Sequence, residues 1–227
     1  LAAAIYKQGE EANRVEDYRT AADHFLRIAT AAPGSEIRPI AQYDAASALI
    51  HLSNWSEAAS VLESFRNAYP EHELSAEATR QVAFVYREDG NLARAAAEYV
   101  RVADEAKELE LRREALLVAA ELYEEAELIT EALATFDTYV TQFTKPIEPA
   151  VVARFKMAEL FHKAGNEISR RSELEKIVAI DRFAGDERTD GVRIYAARSA
   201  LTLSEETYDQ FSEIELTLPF EKSLERK

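Results

Sequence analysis

The chain has 227 residues, of which 30% are charged and 47% are hydrophobic, a balance that favours a folded chain over a disordered one. The formal net charge of −15 argues against nucleic acid or an anionic membrane surface as a partner. There is no cysteine, which excludes disulfides, thiolate nucleophiles and cysteine-ligated metal sites. The longest apolar run, Ala115 to Ala120, is far shorter than the roughly 20 residues that cross a bilayer. Glycine and proline occur only six times each, which favours helices over strands and turns.

The two ends of the sequence indicate a part of a longer protein. The chain begins at Leu1 without a methionine and ends in the charged run from Leu224 to Lys227. We therefore expect any signal peptide or lipid anchor to lie outside this sequence.

An internal repeat is visible at a spacing of 37 residues. The first two copies share one pattern at equal intervals: Ala21, Phe25, Ile28 and Pro33, then Ala58, Leu62, Phe65 and Pro70. The next copies contain Ala95, Tyr99 and Val102, then Ala132, Phe136 and Tyr139, then Arg170, Leu174 and Ile177. A second column, twelve residues earlier, is small in all five copies: Gly9, Ala46, Ala83, Ala120 and Ala158. Several columns that agree at one period indicate a true repeat.

Each copy has the pattern of a helical hairpin. Apolar residues three and four apart share one helix face, and small residues at fixed places let two helices approach closely. Turn-forming residues separate the helical segments at Pro33-Gly34, Asn54, Pro70, Gly90-Asn91, Pro146 to Pro149, Gly165-Asn166 and Gly185 to Gly191. We predict helix N-caps at Ser35, Asn54, Ser75 and Asn91. No stretch alternates with the period of a strand, so the sequence predicts an all-α fold.

The order of small residue, small residue, large apolar residue and proline within each copy resembles the tetratricopeptide repeat. The resemblance covers about residues 1–181, although Lys107 replaces the final proline of the third copy and Arg170 replaces a small residue in the fifth. It implies a right-handed superhelical solenoid of antiparallel helix pairs. The implied pairs are about 1–36, 37–74, 75–111, 112–148 and 149–181.

Two further resemblances concern the cellular setting. The string from Phe65 to Ala78, with Tyr69-Pro70 and His72, resembles a repeat variant common in bacterial envelope proteins. Examples are the lipoprotein of the outer-membrane β-barrel assembly machinery and the coordinator associated with the Tol-Pal system. The tail from Arg193 to Lys227 is similar to large repeat lipoproteins related to gliding-motility components. The resemblances imply a periplasmic or outer-membrane-associated protein, and a cytoplasmic location stays open.

Residues 182–227 differ from the repeats. Nothing between Val192 and Leu218 breaks a helix, so we predict one long helix there. Its predicted apolar face consists of Ile194, Ala197, Leu201 and Tyr208. We expect this face either to cover the fifth helix pair or to contact a part of the protein that follows. Pro219 suits the first turn of a further helix.

The sequence contains no motif for catalysis or for a cofactor. The glycine-rich phosphate loops, the nucleophile elbow and the zinc-binding His-Glu-x-x-His spacing are all missing. His72, between Glu71 and Glu73, could hold a metal ion, but a solvated loop at a helix start is the simpler interpretation. Adjacent carboxylates such as Glu124-Glu125 are typical of a solvated helix face rather than of acid-base catalysis. We therefore predict no enzyme activity, no cofactor and no metal.

In the tetratricopeptide family the first helix of each pair lines the concave side of the array. The family's inward places, carried onto this sequence, combine aromatic and acidic side chains: Tyr6, Glu10, Tyr43, Arg80, Phe84, Glu121, Phe155 and Glu159. The resemblance implies apolar anchors at Tyr43, Phe84 and Phe155. It also implies that Glu121 and Glu159 set the charge preference. Some of these aromatic rings could instead be covered by a neighbouring helix.

A clamp for a chaperone's C-terminal carboxylate is not expected. Such repeat domains place Lys or Arg and Asn where this chain has Tyr6 and Glu10, and only Arg80 and Arg87 form a basic pair. Aromatic side chains beside carboxylates fit a helical or extended segment with apolar anchors and a basic rim.

Together these features predict a non-catalytic protein-protein interaction scaffold that holds a protein or peptide segment in a concave groove. It would be a part of a bacterial cell-envelope assembly. One alternative is a structural spacer or a self-assembling arm of a larger protein. Another is an array that supports an enzyme domain encoded elsewhere. The sequence does not indicate an oligomeric state.

Overall fold

A computed structural model describes residues 1–213. These residues form eleven α-helices, one 3₁₀ turn and no β-strand, so the prediction of an all-α fold is confirmed. The helices are α1 (Ala2–Arg14), α2 (Tyr18–Ala31), α3 (Arg38–His51), α4 (Trp55–Ala68), α5 (Ser75–Glu88), α6 (Leu92–Glu105), α7 (Leu109–Glu125), α8 (Ile129–Gln142), α9 (Ile147–Lys163), α10 (Glu167–Phe183) and α11 (Asp190–Ser212). The helix predicted to begin at Pro219 lies outside the described residues.

The chain divides into two compact units inside α8. Unit 1 comprises Leu1–Ala132, and unit 2 comprises Leu133–Lys227. In unit 1 each helix from α1 to α7 packs against the next helix along the chain. In unit 2 α10 packs against α9, and α11 packs against both. None of the helices described within residues 1–213 has the length and apolar character that crossing a membrane requires.

Small side chains set the spacing of the helix pairs in unit 1. Ala21, Ala58 and Ala95, each the fourth residue of a second helix, are completely buried. Gly9 of α1 lies directly under the ring of Phe25, since a Cβ atom at this glycine would be only 2.5 Å from the ring. The two repeat columns therefore mark the places where first and second helices meet most closely.

Two of the four predicted N-caps are correct. Asn54 and Asn91 precede α4 and α6, and Asn91 Oδ1 accepts a hydrogen bond from the Arg94 backbone N–H at 3.4 Å. The predictions for Ser35 and Ser75 are wrong, because Ile37 and Leu74 occupy the N-cap positions of α3 and α5. Both helices follow a turn that is closed by a side chain: the Ile37 N–H donates to Ser35 Oγ, and the Leu74 N–H donates to His72 Nδ1.

Three predicted pair boundaries fall inside helices. The boundaries after residues 111, 148 and 181 cut α7, α9 and α10 within two or three residues of a helix end. One cause is Pro149, which lies in the first turn of α9 and not in the preceding loop. Proline is tolerated there because the first N–H groups of a helix have no intrahelical partner.

The prediction that the apolar face of the C-terminal helix covers the fifth pair is wrong, because a different face of α11 does so. In α11 the buried residues are Val192, Ala196 and Ser199, and this face meets α9 and α10. Exposed side chains occupy the predicted face, with Ile194 at 58%, Leu201 at 60% and Tyr208 at 68% of full exposure. The small side chains on the buried face let α11 approach its neighbours more closely than the larger ones would.

Arg170 explains how the fifth copy departs from the repeat pattern. Its guanidinium donates to Glu167 at 2.8 Å and lies 3.1 Å from a carboxylate oxygen of Glu206 in α11. Arg171 reaches the other oxygen of Glu206 at 3.2 Å. At this place ion pairs with α11 stand where the other copies have a small residue.

Candidate functional site

Six of the eight predicted partner-binding residues lie on the first helices of unit 1. We call these six the first-helix face: Tyr6 and Glu10 on α1, Tyr43 on α3, Arg80 and Phe84 on α5, and Glu121 on α7. The faces of α1 and α3 are joined directly, because the Tyr6 hydroxyl donates a hydrogen bond to Asp44 Oδ2 at 2.5 Å. The other two residues, Phe155 and Glu159, lie on α9 in unit 2.

The aromatic rings of the first-helix face are half-buried. Tyr6 packs against Phe25 with 5.2 Å between ring centroids, and Tyr43 meets Phe65 edge-on at 5.9 Å. Phe84 makes a similar edge-on contact with Trp55 at 6.1 Å. Each ring thus packs on a second helix while part of its surface remains accessible.

The hydroxyl of Tyr43 differs from that of Tyr6, which is bonded to Asp44. Within residues 1–213 the Tyr43 hydroxyl makes no hydrogen bond to another residue. Burial raises the pKa of Tyr43, as does the negative charge of Glu77, while Arg80 opposes the shift. Glu77 and Arg80 of α5 thus lie near enough to Tyr43 for their charges to act on it. A buried phenol normally finds a hydrogen-bond partner. Because the Tyr43 hydroxyl has none within residues 1–213, it can bond to water or to a polar group of a partner.

Two carboxylates are close together at the α1–α3 end of the face. Burial raises the pKa of Asp44, the hydrogen bond from Tyr6 lowers it, and the charge of Glu10 raises it further. Burial and the nearby Asp44 likewise raise the pKa of Tyr6. A cation here would relieve the repulsion between Asp44 and Glu10.

Asp44 is a residue of this surface that the sequence analysis missed. It follows Tyr43 directly, so the repeat pattern could have flagged it as the next place along the same helix. Its hydrogen bond with Tyr6 spans 38 residues. That partnership becomes visible only when α1 and α3 are placed side by side.

The basic side chains of the face are already near carboxylates. Arg80 Nε donates to Glu77 Oε2 at 2.8 Å, and Arg87 lies 3.8 Å from Glu88. Arg80 also lines a recess of about 220 Å³ whose other lining residues are Ala76, Val102, Glu105, Ala106, Lys107, Glu108 and Leu111. The recess has room for a small apolar side chain. Both arginines thus contact carboxylates of their own helix, α5.

Phe155 is covered on one side by α11. Its ring lies 5.1 Å from the ring of Tyr195, and the Arg198 guanidinium lies 4.5 Å from its centroid. This arrangement corresponds to the alternative of an aromatic ring that packs against a neighbouring helix. Glu159, one turn further along α9, is exposed.

His72 has a structural environment. Its imidazole is half-buried, stands edge-on to Phe65 at 5.4 Å and accepts the Leu74 N–H at 3.1 Å. His72 lies in the loop at the start of α5 as predicted, but its ring is only partly solvated because it packs against Phe65 of α4. In the part of the chain that the structure describes, no group of three or more His, Cys, Asp or Glu side chains is placed to hold a metal ion.

Residues 40–72 match the family model of the tetratricopeptide repeat. The match lies inside the second predicted helix pair, 37–74, and covers α3 and α4 almost completely. Residues 40–72 of this chain thus have the sequence pattern of one tetratricopeptide repeat. The resemblance drawn from the repeat columns is confirmed, while its envelope-protein variant stays a prediction.

Solved structures of repeat proteins are similar to this chain at low sequence identity. A tetratricopeptide repeat protein from Parabacteroides merdae is 17% identical with a TM-score of 0.47, covering 95% of this chain and 81% of its own. A putative kinesin light chain with TPR-like repeats from Podosopora anserina is 18% identical with a TM-score of 0.46, covering 82% and 99%. The TPR2AB domain of yeast Sti1, solved with pHSP90, is 12% identical with a TM-score of 0.40, covering 92% and 86%. No curated protein matches the chain significantly.

Proposed function

We propose that this chain is a non-catalytic protein-protein interaction scaffold whose first-helix face binds a segment of a partner protein. Tetratricopeptide repeats are typically non-enzymatic and bind proteins or peptides. The observation that carries the proposal is the joined surface of α1 and α3, where the Tyr6–Asp44 hydrogen bond sets the half-exposed Tyr43 ring beside two carboxylates.

The chemistry of this surface favours a partner with both apolar and basic side chains. A Lys or Arg side chain would be attracted to Glu10 and Asp44, whose negative charges repel each other. Apolar side chains would pack on the accessible parts of Tyr43 and Phe84. The Tyr43 hydroxyl would add one hydrogen bond, which fixes the orientation of the segment more than it adds affinity.

We further propose a bacterial cell-envelope setting, in the periplasm or at the outer membrane. The support for this location is the envelope-type string from Phe65 to Ala78 and the likeness of the tail to repeat lipoproteins. Fractionation of cells that express the whole native protein tests it. Recovery of the protein from the cytosol alone would contradict the envelope setting without affecting the binding proposal.

The binding proposal is tested with two site variants and two matched controls. Glu10→Lys reverses an exposed charge of the face, and Tyr43→Ala removes the half-exposed ring. The controls are Glu71→Lys in the α4–α5 loop and Tyr18→Ala, whose ring stacks on His51 at the C-terminal end of α3. Each protein is immobilised and incubated with envelope and cytosolic fractions, and retained proteins are identified by mass spectrometry.

We expect one partner to be retained by the native chain and by both controls, and lost with both site variants. Circular dichroism confirms that Tyr43→Ala and Tyr18→Ala are equally folded. A partner that the site variants retain would move the binding site elsewhere. If no protein is retained specifically from either fraction, the scaffold proposal fails for this part of the protein.

A further inference from the structure

The exposed face of α11 has the spacing of a coiled-coil seam. Ile194, Ala197, Leu201, Ser204 and Tyr208 follow one another at intervals of three, four, three and four residues, and Phe211 continues the spacing. Intervals that alternate in this way define the a and d positions of a heptad repeat. We call the five residues from Ile194 to Tyr208 the α11 seam. All five are exposed.

The opposite face of α11 is already occupied. Val192, Tyr195, Ala196 and Ser199 fix the helix against α9 and α10, and the Ser199 hydroxyl donates to the Tyr195 carbonyl at 2.8 Å. The helix is therefore held in place by unit 2 while the α11 seam points away from it. A surface helix normally turns its largest apolar side chains toward the core, and this helix does the reverse.

We propose that the α11 seam pairs with the α11 seam of a second copy of this chain, as an antiparallel two-helix coiled coil. When Leu201 of one copy lies opposite Ser204 of the other, Ala197 lies opposite Tyr208. Leu201 and Tyr208 of each copy then meet a small side chain of the other copy, which fills the space between the helices without overlap. The arrangement is a closed two-fold contact, in which both copies use the same surface.

Charges beside the seam select the second copy and its direction. Arg198 and Glu205 lie on the same edge of the seam, seven residues apart. Antiparallel pairing puts Arg198 of each copy beside Glu205 of the other, which gives two opposite-charge contacts. Parallel pairing would instead put Arg193 of one copy beside Arg198 of the other, a like-charge contact.

Both edge residues are available for this contact. Arg198 stacks on the rings of Phe155 and Tyr195 and makes no ion pair with any residue from 1 to 213. Stacking uses the flat face of the guanidinium, so the N–H groups at its rim stay open to a carboxylate. Glu205 is exposed and also has no ion pair in the described chain.

Charge reversal tests the pairing in the 227-residue chain by sedimentation equilibrium. Arg198→Glu and Glu205→Arg each turn the edge contact into repulsion, and we expect each to weaken the dimer about tenfold or more. The double variant restores attraction and should restore the dimer. A mixture of the two single variants should form a heterodimer that neither variant forms alone.

Cysteine cross-linking tests the direction, and the absence of native cysteine makes the background clean. Chains with Ala197→Cys and chains with Tyr208→Cys should form a disulfide with each other when mixed, because these two positions face each other in the antiparallel pair. Each variant alone should cross-link weakly. Leu201→Lys should abolish the dimer, whereas Ile168→Lys on the exposed surface of α10 serves as the control that leaves it intact.

Several outcomes would overturn the proposal. A monomer at every concentration from about 1 to 100 µM would exclude a second copy as the occupant. A dimer that is insensitive to Leu201→Lys would place the contact elsewhere. Self-cross-linking of Ala197→Cys alone would indicate parallel helices and contradict the charge argument. The proposal does not rest on the first-helix face, so partner capture and dimer formation succeed or fail separately.

Discussion

The second helices of unit 1 and helix α10 of unit 2 use one place in the repeat in opposite ways. In α2, α4 and α6 the fourth residue is an alanine that is completely buried, whereas in α10 it is Arg170, which forms ion pairs. The alanines allow close contact between neighbouring helices of the array. Arg170 reaches Glu206 on α11, a helix outside the five pairs. The residue type at this fourth position therefore depends on what the helix packs against, and not on what helix formation itself requires.

The strongest test of this comparison puts an arginine into the alanine column. Ala58→Arg in α4 would force a long charged side chain into a place that is completely buried. We expect the free energy of unfolding to fall by about 4 kcal/mol, since overpacking and an unpaired buried charge add together. Urea denaturation followed by circular dichroism measures the loss. Ser60→Arg, at an exposed place of the same helix, should change stability by less than about 0.5 kcal/mol.

Unit 1 contains a nearly buried ion pair that we expect to contribute to stability about as much as its buried small residues. Arg66 of α4 and Glu98 of α6 form a bidentate contact at 2.5 and 3.1 Å, and their side chains are only 11% and 10% exposed. Glu98→Gln leaves Arg66 charged in this setting, and we expect a loss of about 3 kcal/mol. The matched control is Glu11→Gln, which breaks the exposed pair with Arg14 and should have no measurable effect. Equal losses in the two variants would contradict the role of burial.

Gly9→Ala tests the other column of small residues, the one in the first helices. Alanine improves helix propensity by about 1 kcal/mol, but its Cβ would overlap the ring of Phe25. We expect overpacking to outweigh propensity and to lower the unfolding free energy by about 1 kcal/mol net. Gly34→Ala, where a Cβ atom meets nothing within 4 Å, is the control and should be neutral or slightly stabilising. A stabilised Gly9→Ala variant would show that the Phe25 ring moves aside freely.

The sequence predicts the parts of this fold that depend on local pattern. Helix pairs, the two small columns and the N-caps at Asn54 and Asn91 follow from periodicity and turn chemistry. Polar contacts such as Tyr6–Asp44 and Arg66–Glu98 link residues 38 and 32 positions apart, so they exist only after the helices are packed. The α11 face was misassigned for a related reason. The apolar pattern predicts that the large side chains of α11 face the core, whereas the small ones Ala196 and Ser199 make the closer contact.

The reverse exchange, Arg170→Ala, should cost little. It introduces the residue type of the other copies at a place where the native side chain contacts Glu167 and Glu206. Glu206 keeps Arg171 as a partner, and both charged groups of the lost pair are partly exposed, so we expect a loss of about 0.5 kcal/mol. Urea denaturation under the same conditions as for Ala58→Arg makes the two results comparable. A loss as large as that of Ala58→Arg would show that the fourth place of α10 constrains its side chain as strictly as the fourth place of α4.

The smallest expected effect is that of Asp44→Asn on the free energy of unfolding. The raised pKa of Asp44 determines whether this change is stabilising or destabilising. Because the folded pKa lies above the unfolded value of about 3.9, the ionised carboxylate opposes folding at neutral pH, and this cost disappears as the pH falls below both values. Asp44→Asn removes the charge and leaves an oxygen that still accepts from Tyr6. The variant should therefore be slightly more stable than the native chain at pH 7, and the difference should shrink toward pH 3.

Urea denaturation at several pH values measures this difference. Asp104→Asn, at an exposed place of α6, is the control for the loss of one negative charge. An Asp44→Asn variant that is less stable at pH 7 would mean that the carboxylate is stabilised in the folded chain, by Tyr6 or by a cation, and not strained by Glu10. Asp44 would then no longer be a group that awaits a basic partner, and the first-helix face would lose its main reason to prefer a cationic segment over a neutral one.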